Sequence, residues 1–273
     1  MPEGDTIHRA ARTLSRALVG QRVVAARSGV PGLGSRVSAL SGCTVAAVEA
    51  RGKHLLIHLD DGQTLRTHMR MTGSWHLYRP GERWRKPAAR ARVVLETDAW
   101  TAVCFNAPDI ELERSGRLDA ELDARLGPDL LAEEFDADGV AARWASEPAL
   151  PIGVTVMRQR LAAGIGNVYK SELLFLLGID PFVQTGGLPR ATLRLLAREA
   201  RTLLLANLGP GPRTTRRSLD PGRLWVYGRS GEPCRRCGTP IRMRRQGEEA
   251  RSTYFCPVCQ PPGSLGSEGP PDL

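Results

Sequence analysis

The sequence has no long apolar run and no export signal. No stretch of roughly eighteen consecutive apolar residues occurs, so a membrane-spanning helix is not indicated. The first ten residues, MPEGDTIHRA, lack the basic, apolar and small-residue regions of a signal peptide. There is also no heptad repeat and no strongly apolar extra helix that would need a second chain. We therefore expect a cytoplasmic protein that acts as a monomer.

Lysine is missing from the most basic part of the chain, where arginine carries the positive charge. The 273 residues include 38 Lys plus Arg and 29 Asp plus Glu, for a net charge of +9. Residues 213–251 contain eleven Arg, no Lys and four acids, so much of the excess lies there. A cationic patch of this kind favours a polyanion, most often a nucleic acid. The alternative is a solvated basic face, because charge alone does not identify a partner.

A helix is predicted at the start of the chain. Apolar residues from Ile7 to Leu18 recur at the spacing of one helical face, and Gly20 fits the position just after the helix end. Asp5 or Thr6 is a candidate N-cap. Once Met1 is removed, the residue before this helix is a proline with a free secondary amine and a carboxylic acid beside it.

Between residues 22 and 106 the pattern changes to short β-rich runs separated by turn residues. The six runs are RVVAAR, CTVAAVEA, KHLLIHL, TLRTHMRM, ARVVLET and WTAVCFN. Six strands joined by turns predict an antiparallel sandwich. The segment from Tyr78 to Arg90 is predicted as a polar loop within this layer, and Cys43 and Cys104 are expected to be buried free thiols.

After residue 113 the pattern becomes helical, with predicted segments at 120–126, 138–145, 154–162, 168–177 and 190–208. The change of period indicates a second, helical domain. We expect domain boundaries at 1–115, 116–222 and 223–262, followed by a disordered tail over 263–273 that is rich in Pro and Gly.

Two cysteine pairs near the end of the chain repeat the same spacing. Cys234 and Cys237 are separated by two residues, eighteen residues follow, and Cys256 and Cys259 repeat the pair. Two such knuckles can close a tetrahedral shell of four thiolates around one Zn²⁺. A shell without an open position is structural and not catalytic. A redox dithiol and an iron cluster are the alternatives.

The segment between the cysteine pairs, IRMRRQGEEARSTYF, predicts a β-hairpin with Gly247 near its turn and Arg251 on the returning strand. So small a module depends on its metal for its fold. Its arginines would therefore be presented to phosphates on a rigid support.

The segment LAAGIGNVYKSELLF places a glycine-containing turn before a helix. Gly164 and Gly166 permit a tight turn, and Asn167 is predicted to cap the helix that starts at Val168. The free N–H groups at a helix N-terminus form a site for phosphate. A purely structural turn is the alternative, but the basic finger downstream favours half of a DNA backbone clamp.

Several motifs occur in one order along the chain. They are PEGDT at the start, RGKHLL around Lys53, HMRMTG around Met71, ARLGPDLL around Arg125, AGIGNVYKSE around Asn167, and YGRSGEPCRRCG through RSTYFCPVCQ at the end. From residue 2 to residue 260 the chain resembles the bacterial formamidopyrimidine-DNA glycosylase and endonuclease VIII family. The resemblance implies an α+β multidomain fold, with an N-terminal helix and antiparallel β-sandwich, a helix-two-turns-helix domain and a C-terminal β-hairpin zinc finger. It also implies DNA binding in the cleft between the two halves.

The resemblance further implies a bifunctional DNA glycosylase and AP lyase of base excision repair. By similarity, Pro2 is the Schiff-base nucleophile and Glu3 the general acid. Lys53 binds a phosphate and donates a proton in β-elimination, and Arg251 is the finger arginine that grips a phosphate and takes part in δ-elimination. An amine is needed for this chemistry, and an α-amino group has an ordinary pKa of about 7.7–8.0, which leaves a neutral fraction for attack. For Glu3 the alternative is a first-turn acid that only stabilises the helix.

The same resemblance implies further contacts with DNA. Arg70 and Met71 match side chains that enter the duplex after the damaged nucleotide has left the stack, with Met71 as an apolar wedge. Arg125 and Asn167 match other DNA-contacting positions. For Met71 the alternative is an ordinary core position at the end of a strand.

The chain departs from the family pattern near the nucleophile and the lesion pocket. PEGDT stands where the formamidopyrimidine branch usually has PELPE, and CFNAPDIELE replaces that branch's Asp-Pro-Arg-Arg-Phe-Gly loop. Both differences favour the endonuclease VIII branch. Thr6, Arg70 and Thr72 differ from the residues usual in that branch. We expect damaged double-stranded or single-stranded DNA as the partner, with oxidised pyrimidines and abasic sites as the leading substrates and oxidised purines second. A noncatalytic zinc-finger protein on the same scaffold is the competing hypothesis.

Overall fold

The computed structural model describes residues 2–216 and 222–266 of the chain. Two compact units divide the chain, Met1–Arg125 and Leu126–Leu273. Each unit has its own apolar core. Among the described residues, no helix combines the length and the apolar character needed to cross a membrane.

The first unit is built from helices and antiparallel strands. Its described helices are α1 (Gly4–Leu18), α2 (Gly34–Ser38) and α3 (Ser115–Arg125). Its described strands are β1 (Ala25–Ser28), β2 (Val45–Arg51), β3 (His54–Leu59), β4 (Gln63–His68), β5 (Ser74–Tyr78), β6 (Ala91–Glu96), β7 (Thr101–Phe105) and β8 (Asp109–Arg114).

The strands form two four-stranded sheets, in the orders β1-β6-β7-β5 and β2-β3-β4-β8, and all neighbours are antiparallel. Leu55 and Ile57 from one sheet and Val93 and Leu95 from the other belong to one buried cluster with α1. The predicted sandwich is therefore confirmed. Cys104 is a fully buried free thiol as expected, whereas Cys43 is only half-buried.

Two strands and one short helix were not predicted. Strand β8 reads DIELER, a charged sequence with low intrinsic β propensity. It is a strand because it pairs with β4 along its whole length and buries Ile110 and Leu112 on one face. Its register depends on a neighbour more than forty residues earlier, which no local pattern reports.

Helix α1 begins at Gly4, two residues earlier than a cap at Asp5 would place it. Glu3 occupies the N-cap position, and its carbonyl oxygen accepts from the N–H groups of Thr6 at 2.9 Å and Ile7 at 3.1 Å. The prediction that Asp5 or Thr6 caps the helix is wrong, because both lie within its first turn and no side chain caps it. Gly20 has a φ of 78° just after the helix end, as predicted.

The second unit is mainly helical and ends in a hairpin. Its described helices are α4 (Ala137–Ala145), α5 (Ile152–Thr155), α6 (Asn167–Leu176) and α7 (Arg190–Ala206), and its strands are β9 (Arg242–Gln246) and β10 (Arg251–Phe255). The predicted helix at 154–162 is wrong, because α5 ends at Thr155. The side chain of Gln159 instead supports the turns that follow. Its Nε2 donates to the carbonyls of Met157 at 2.6 Å and Ile165 at 3.0 Å, and its Oε1 accepts from the N–H of Gly164 at 3.1 Å.

Helix α6 is buried along its entire length. Gly164 has a φ of 119°, which confirms the glycine-dependent turn before it. The prediction that Asn167 caps this helix is wrong. Gly166 is the N-cap residue, and Asn167 is the first residue of the helix, so its side chain is available for other contacts.

The expected disordered tail begins with ordered contacts. The N–H of Gly263 donates to Asp180 Oδ2 at 2.8 Å, and the hydroxyl of Ser264 donates to the carbonyl of Gly178 at 2.8 Å. Leu265 forms a β-bridge with Ile179. The rest of that expected tail, 267–273, lies outside the described residues.

Candidate functional site

The start of α1 carries two buried acids next to a proline. Pro2 is half-buried, and Glu3 and Asp5 are 0% exposed. Thr6 donates its hydroxyl to Asp5 Oδ1 at 3.3 Å. Helix α1 packs on β2 and β3, and Glu3 is fixed by its N-cap position at the end of this packed helix. The arrangement holds a carboxyl group out of solvent, one residue from the proline nitrogen.

Lys53 lies at the tip of a two-residue hairpin turn. Arg51 and His54 pair across β2 and β3, and Gly52 has a φ of 57° as the first of the two turn residues. A glycine with positive φ at that place suits the type II′ turn that matches the twist of a hairpin. Lys53 is half-buried at this turn, and after burial and Arg70 its charge helps to lower the pKa of His68.

Two histidines stack beside this turn. His54 and His68 are paired across β3 and β4, with ring centroids 4.8 Å apart. Burial, then His68 and Arg66, lowers the pKa of His54 from 6.5 to about 3. Burial also lowers the pKa of His68, although Asp109, whose Oδ2 is 3.4 Å from His68 Nδ1, opposes that change. Both rings are therefore neutral at pH 7, so they stack without charge repulsion.

The turn after β4 exposes Met71. Its side chain is 68% exposed, which does not fit a core position. A Cβ on Gly73 would lie 2.6 Å from the carbonyl oxygen of Met69, so only glycine lets the chain return this tightly. The turn therefore carries a single apolar side chain outward on a closely fixed backbone.

Arg70 is attached to the same edge of the sheet. Its Nε donates to Asp109 Oδ2 at 2.6 Å, the carboxylate that also contacts His68. Arg70 and Asn106 both have φ in the left-handed region, at 43° and 54°. The hydroxyl of Thr72 donates to the carbonyl of Asn106 at 3.3 Å and joins the two turns. Strained residues of this kind occur preferentially at functional sites.

Arg125 ends α3 within reach of the histidine pair. Its guanidinium forms an ion pair with Glu121 at 2.8 Å and remains 69% exposed, and its charge helps to lower the pKa of His54. Of the three predicted cations of the first unit, Arg70 bonds to Asp109, and Lys53 and Arg125 act on the histidine pair through their charge. These three cations are far apart in the sequence, at residues 53, 70 and 125.

In the second unit, Asn167 and Arg251 are connected through Ser252. Asn167 Nδ2 donates to Ser252 Oγ at 2.9 Å, while its Oδ1 is buried without a partner. A hydroxyl both donates and accepts, so rotation of the amide by a half turn keeps this bond and directs an N–H₂ group to the other side. Arg251 begins β10, and its Nε and a terminal nitrogen bind Glu249 Oε2 at 2.7 and 2.6 Å.

The four paired cysteines converge on one point. The Sγ atoms of Cys234, Cys237, Cys256 and Cys259 all lie within 4.8 Å of one another, and no disulfide joins them. The Cys237–Cys256 and Cys234–Cys259 Sγ separations are 3.4 and 3.8 Å. A tetrahedral site with zinc–sulfur bonds of about 2.3 Å has sulfur–sulfur edges of about 3.8 Å. The residues fit one structural Zn²⁺ with no open position.

Arg236 docks this zinc finger on the C-terminal end of α6. Its guanidinium donates to the carbonyls of Phe175 and Leu176, both at 3.3 Å, and lies over the rings of Phe175 at 4.6 Å and Trp225 at 5.3 Å. A cation at a helix C-terminus is favoured by the helix dipole. The finger is thus held to the helix whose other end carries Asn167.

Glu172 organises the segment that leads into the finger. Its carboxylate accepts from the N–H groups of Trp225 at 2.7 Å, Val226 at 2.8 Å and Tyr227 at 2.7 Å, and from the hydroxyl of Thr215. Complete burial raises the pKa of Glu172, while these four donors oppose that change. One side chain therefore satisfies three consecutive backbone donors in the loop.

Several of these residues were not singled out in the sequence. They are His54, His68, Asp109, Glu172 and also Lys170, a second buried charged residue of α6. A signal existed for the last two, because charges inside an otherwise apolar helical segment, NVYKSELLF, must find partners when that helix is buried.

Sequence models of three protein domains match successive parts of the chain. The formamidopyrimidine-DNA glycosylase N-terminal domain matches residues 1–109, the H2TH domain of the same enzyme matches 126–218, and a zinc finger found in FPG and IleRS matches 231–262. The three matches include the N-terminal prolyl segment, α6 and the four cysteines.

Curated relatives match almost the full chain. The probable endonuclease 8 2 of Streptomyces coelicolor is 42% identical over 264 residues, covering 95% of this chain and 94% of its own length. The DNA-(apurinic or apyrimidinic site) lyase Nei2 of Mycolicibacterium smegmatis is 41% identical over 262 residues, covering 95% and 99%. A formamidopyrimidine-DNA glycosylase from Herpetosiphon aurantiacus is 35% identical over 281 residues.

Solved structures of DNA complexes share the fold. The Lactococcus lactis formamidopyrimidine-DNA glycosylase bound to DNA with an N7-benzyl-Fapy-dG superposes with a TM-score of 0.81 at 27% identity, over 95% of this chain and 100% of that one. The same enzyme bound to abasic-site DNA also gives 0.81, at 26% identity, with the same coverage.

Proposed function

Because the chain belongs to the formamidopyrimidine-DNA glycosylase and endonuclease VIII family, and to its endonuclease VIII branch, we propose that it excises oxidised bases from DNA and cleaves the strand at the resulting abasic site. The observation that carries this proposal is the pairing, at the start of α1, of the Pro2 amine with the fully buried Glu3. Both groups lie at the end of a packed helix, so neither needs to be ordered when substrate binds.

The chemistry follows from these two groups. The Pro2 nitrogen attacks the anomeric carbon of the damaged nucleotide, the bond from that carbon to the base breaks, and Glu3 supplies the proton that leaves with the base. The resulting aminal opens: the bond from the anomeric carbon to the ring oxygen breaks, that oxygen takes up a proton in place of the one lost from the amine, and the iminium that forms makes the neighbouring sugar proton acidic. Loss of this proton with the 3′ phosphate is β-elimination, and loss of the 5′ phosphate afterwards is δ-elimination. Lys53 is our proposed proton donor in the first elimination, and Arg251 our proposed phosphate ligand in the second.

The predicted site residues of each unit are assigned different contacts with the DNA. In the first unit, we assign phosphate contacts to Lys53 and Arg125, while Arg70 and the exposed Met71 fill the space that the flipped nucleotide leaves. In the second unit, Asn167 and Arg251 bind phosphates at the end of α6 and on the finger. The exposure of Met71 and the unpartnered Asn167 Oδ1 support these assignments, because Met71 is not part of the core and the Asn167 amide keeps one polar atom that the fold does not bond.

The substrates we propose are oxidised pyrimidines and abasic sites, followed by oxidised purines, in double-stranded or single-stranded DNA. The sequence PEGDT and the endonuclease 8 names of the relatives support this order. We further propose a monomer that acts on the chromosome in the cytoplasm of a bacterium. We propose domain boundaries at 1–115, 116–222 and 223–262.

A panel of labelled oligonucleotides tests the proposal. Zinc-loaded protein is incubated with duplexes that contain an oxidised pyrimidine, an oxidised purine or an abasic site, and with the matching single strands. We expect incision of the pyrimidine and abasic duplexes first, with products that carry phosphate at both new ends. Binding of all duplexes without incision of any would instead establish a noncatalytic DNA-binding protein on this scaffold.

A further inference from the structure

Lys170 is a charged residue inside the fully buried helix α6. Its side chain is 0% exposed. Its Nζ donates to the backbone carbonyl of Ser252 at 2.9 Å and to the hydroxyl of Thr253 at 2.8 Å. Both acceptors belong to β10 and directly follow Arg251 in the chain. The ammonium group therefore connects the helix to the strand that carries the finger arginine.

Hydrogen bonds on either side of Lys170 follow the same line of contact. One turn earlier, Asn167 Nδ2 donates to Ser252 Oγ at 2.9 Å. One residue later, the hydroxyl of Ser171 accepts from the N–H of Tyr254 at 3.3 Å. Residues 167–171 of the helix are thus bonded, in order, to residues 252–254 of the strand. Lys170 supplies the central and only charged donor among these described contacts.

Ring contacts of Tyr254 with Tyr227 and of Phe255 with Phe182 also hold the hairpin, but they lie on the side of Lys170's acceptors away from Arg251. The first four residues of β9 are exposed, and β9 and β10 form a ribbon of only two strands. An isolated ribbon of this kind is marginally stable in water. Zinc orders the base of the finger, but Arg251 lies at the far end of β10, five residues before the first cysteine of the second pair. Along the chain, the residues that contact α6 are closer to Arg251 than the cysteines of the metal site are.

Burial of an ammonium group costs free energy that an apolar side chain would not cost. An aliphatic residue would pack the helix against the strand but would supply no bond that fixes Ser252 and Thr253 along it. Charge-assisted hydrogen bonds are short and directional, so they fix the position of the acceptor along the strand. A lysine at this position is therefore better suited to fixing the position of β10 along α6 than to packing alone.

We propose that Lys170 is a positioning residue for DNA binding: by holding Ser252 and Thr253 it sets the Arg251 guanidinium at a fixed place beside Asn167. This inference rests on the proposed role of Arg251 as a phosphate ligand. Lys170 itself touches no DNA, because its ammonium group is enclosed between α6 and β10.

The salt dependence of DNA binding tests this role. Affinity for an abasic-site duplex is measured across salt concentrations for wild type, Arg251→Ala, Lys170→Met and the double variant, all checked for bound zinc. Loss of one phosphate contact reduces the magnitude of the slope of log K against log salt by about 0.9. We expect this change in both single variants, and the same change, not twice as much, in the double variant.

Thr253 supplies a milder perturbation in case Lys170→Met does not fold. Thr253→Val removes one acceptor of Nζ at nearly constant volume, and Thr253→Ser keeps the hydroxyl. We expect a partial reduction of the slope in the first and the wild-type slope in the second. The ratio of δ- to β-elimination products should fall in parallel in the Lys170→Met and Thr253→Val variants.

Three results would overturn the inference. The first is a wild-type slope in both Lys170→Met and Thr253→Val when the slope of Arg251→Ala is altered. The second is a double variant whose slope falls by the sum of the two single effects. The third is a Thr253→Ser slope as low as that of Thr253→Val. An unaltered slope in Arg251→Ala would contradict the proposed function of Arg251 itself. Since the assay measures binding, it also judges Lys170 in a protein that proves to be noncatalytic.

Discussion

The neutral state of His54 makes the stability of the first unit depend on pH in a definite direction. Burial, the adjacent His68 and the guanidinium of Arg66 lower the pKa of His54 from 6.5 to about 3, and Asp109 only partly opposes them. Between these two values the unfolded chain binds a proton at this site and the folded chain does not. The free energy of unfolding must therefore fall as the pH falls below about 6.5.

The size of the effect at pH 5 follows from the same pKa values. There the folded ring is still neutral, while the unfolded ring, with its pKa of 6.5, is mostly protonated. Each pH unit in this window changes the free energy of unfolding by about 1.4 kcal/mol. His54 alone should therefore remove about 2 kcal/mol between pH 7.5 and pH 5. A ring that cannot take up a proton should abolish this part of the loss.

Urea unfolding at pH 7.5 and pH 5, followed by tryptophan fluorescence, measures the difference. His54→Gln should lose about 2 kcal/mol less than wild type over this interval, whatever its stability at pH 7.5. His76→Gln serves as the matched control. Burial lowers the pKa of His76 as well, but to a smaller extent, so its effect should be weaker. Equal losses in wild type and His54→Gln would refute the reasoning.

Three further predictions concern the chemistry and the DNA contacts. Glu3→Gln should abolish base removal but leave strand cleavage at preformed abasic sites, since no base departs there; equal loss of both would refute the acid role. Glu249→Gln removes the carboxylate that binds Arg251 and should tighten binding to an abasic duplex by up to about fivefold, as expected for an exposed ion pair. Glu248→Gln makes the same charge change without an ion pair in the described part of the chain, so equal tightening would count against a specific effect. Chelation of zinc should release one equivalent of metal and weaken DNA binding at least about tenfold, because the finger folds with its metal; unchanged affinity after measured metal loss would contradict this.

Local patterns in the sequence predicted the features that depend on neighbouring residues. The cysteine spacing predicted the zinc site, and the apolar periodicity from Ile7 to Leu18 predicted α1. Both signals are complete within a short segment, because a knuckle and a helical face are each built from residues close in the chain. The hairpin turn at Gly247 was predicted for the same reason.

Features that depend on distant partners were not accessible in this way. The stacked pair of His54 and His68 exists only in the observed register of β3 with β4, which places these two residues opposite each other. Asn167 has the composition of a cap but bonds to Ser252, eighty-five residues later. In each case a tertiary contact decided the local structure.

The nitrogen of Pro2 is our proposed nucleophile, and borohydride trapping tests this role. Protein with an unblocked N-terminal proline is mixed with abasic-site DNA and borohydride, and the trapped complex is digested and mapped by mass spectrometry. We expect one covalent adduct, on the peptide that begins with Pro2 and at its nitrogen. An adduct on Lys53 or another lysine, or no adduct from folded, zinc-loaded protein, would contradict it.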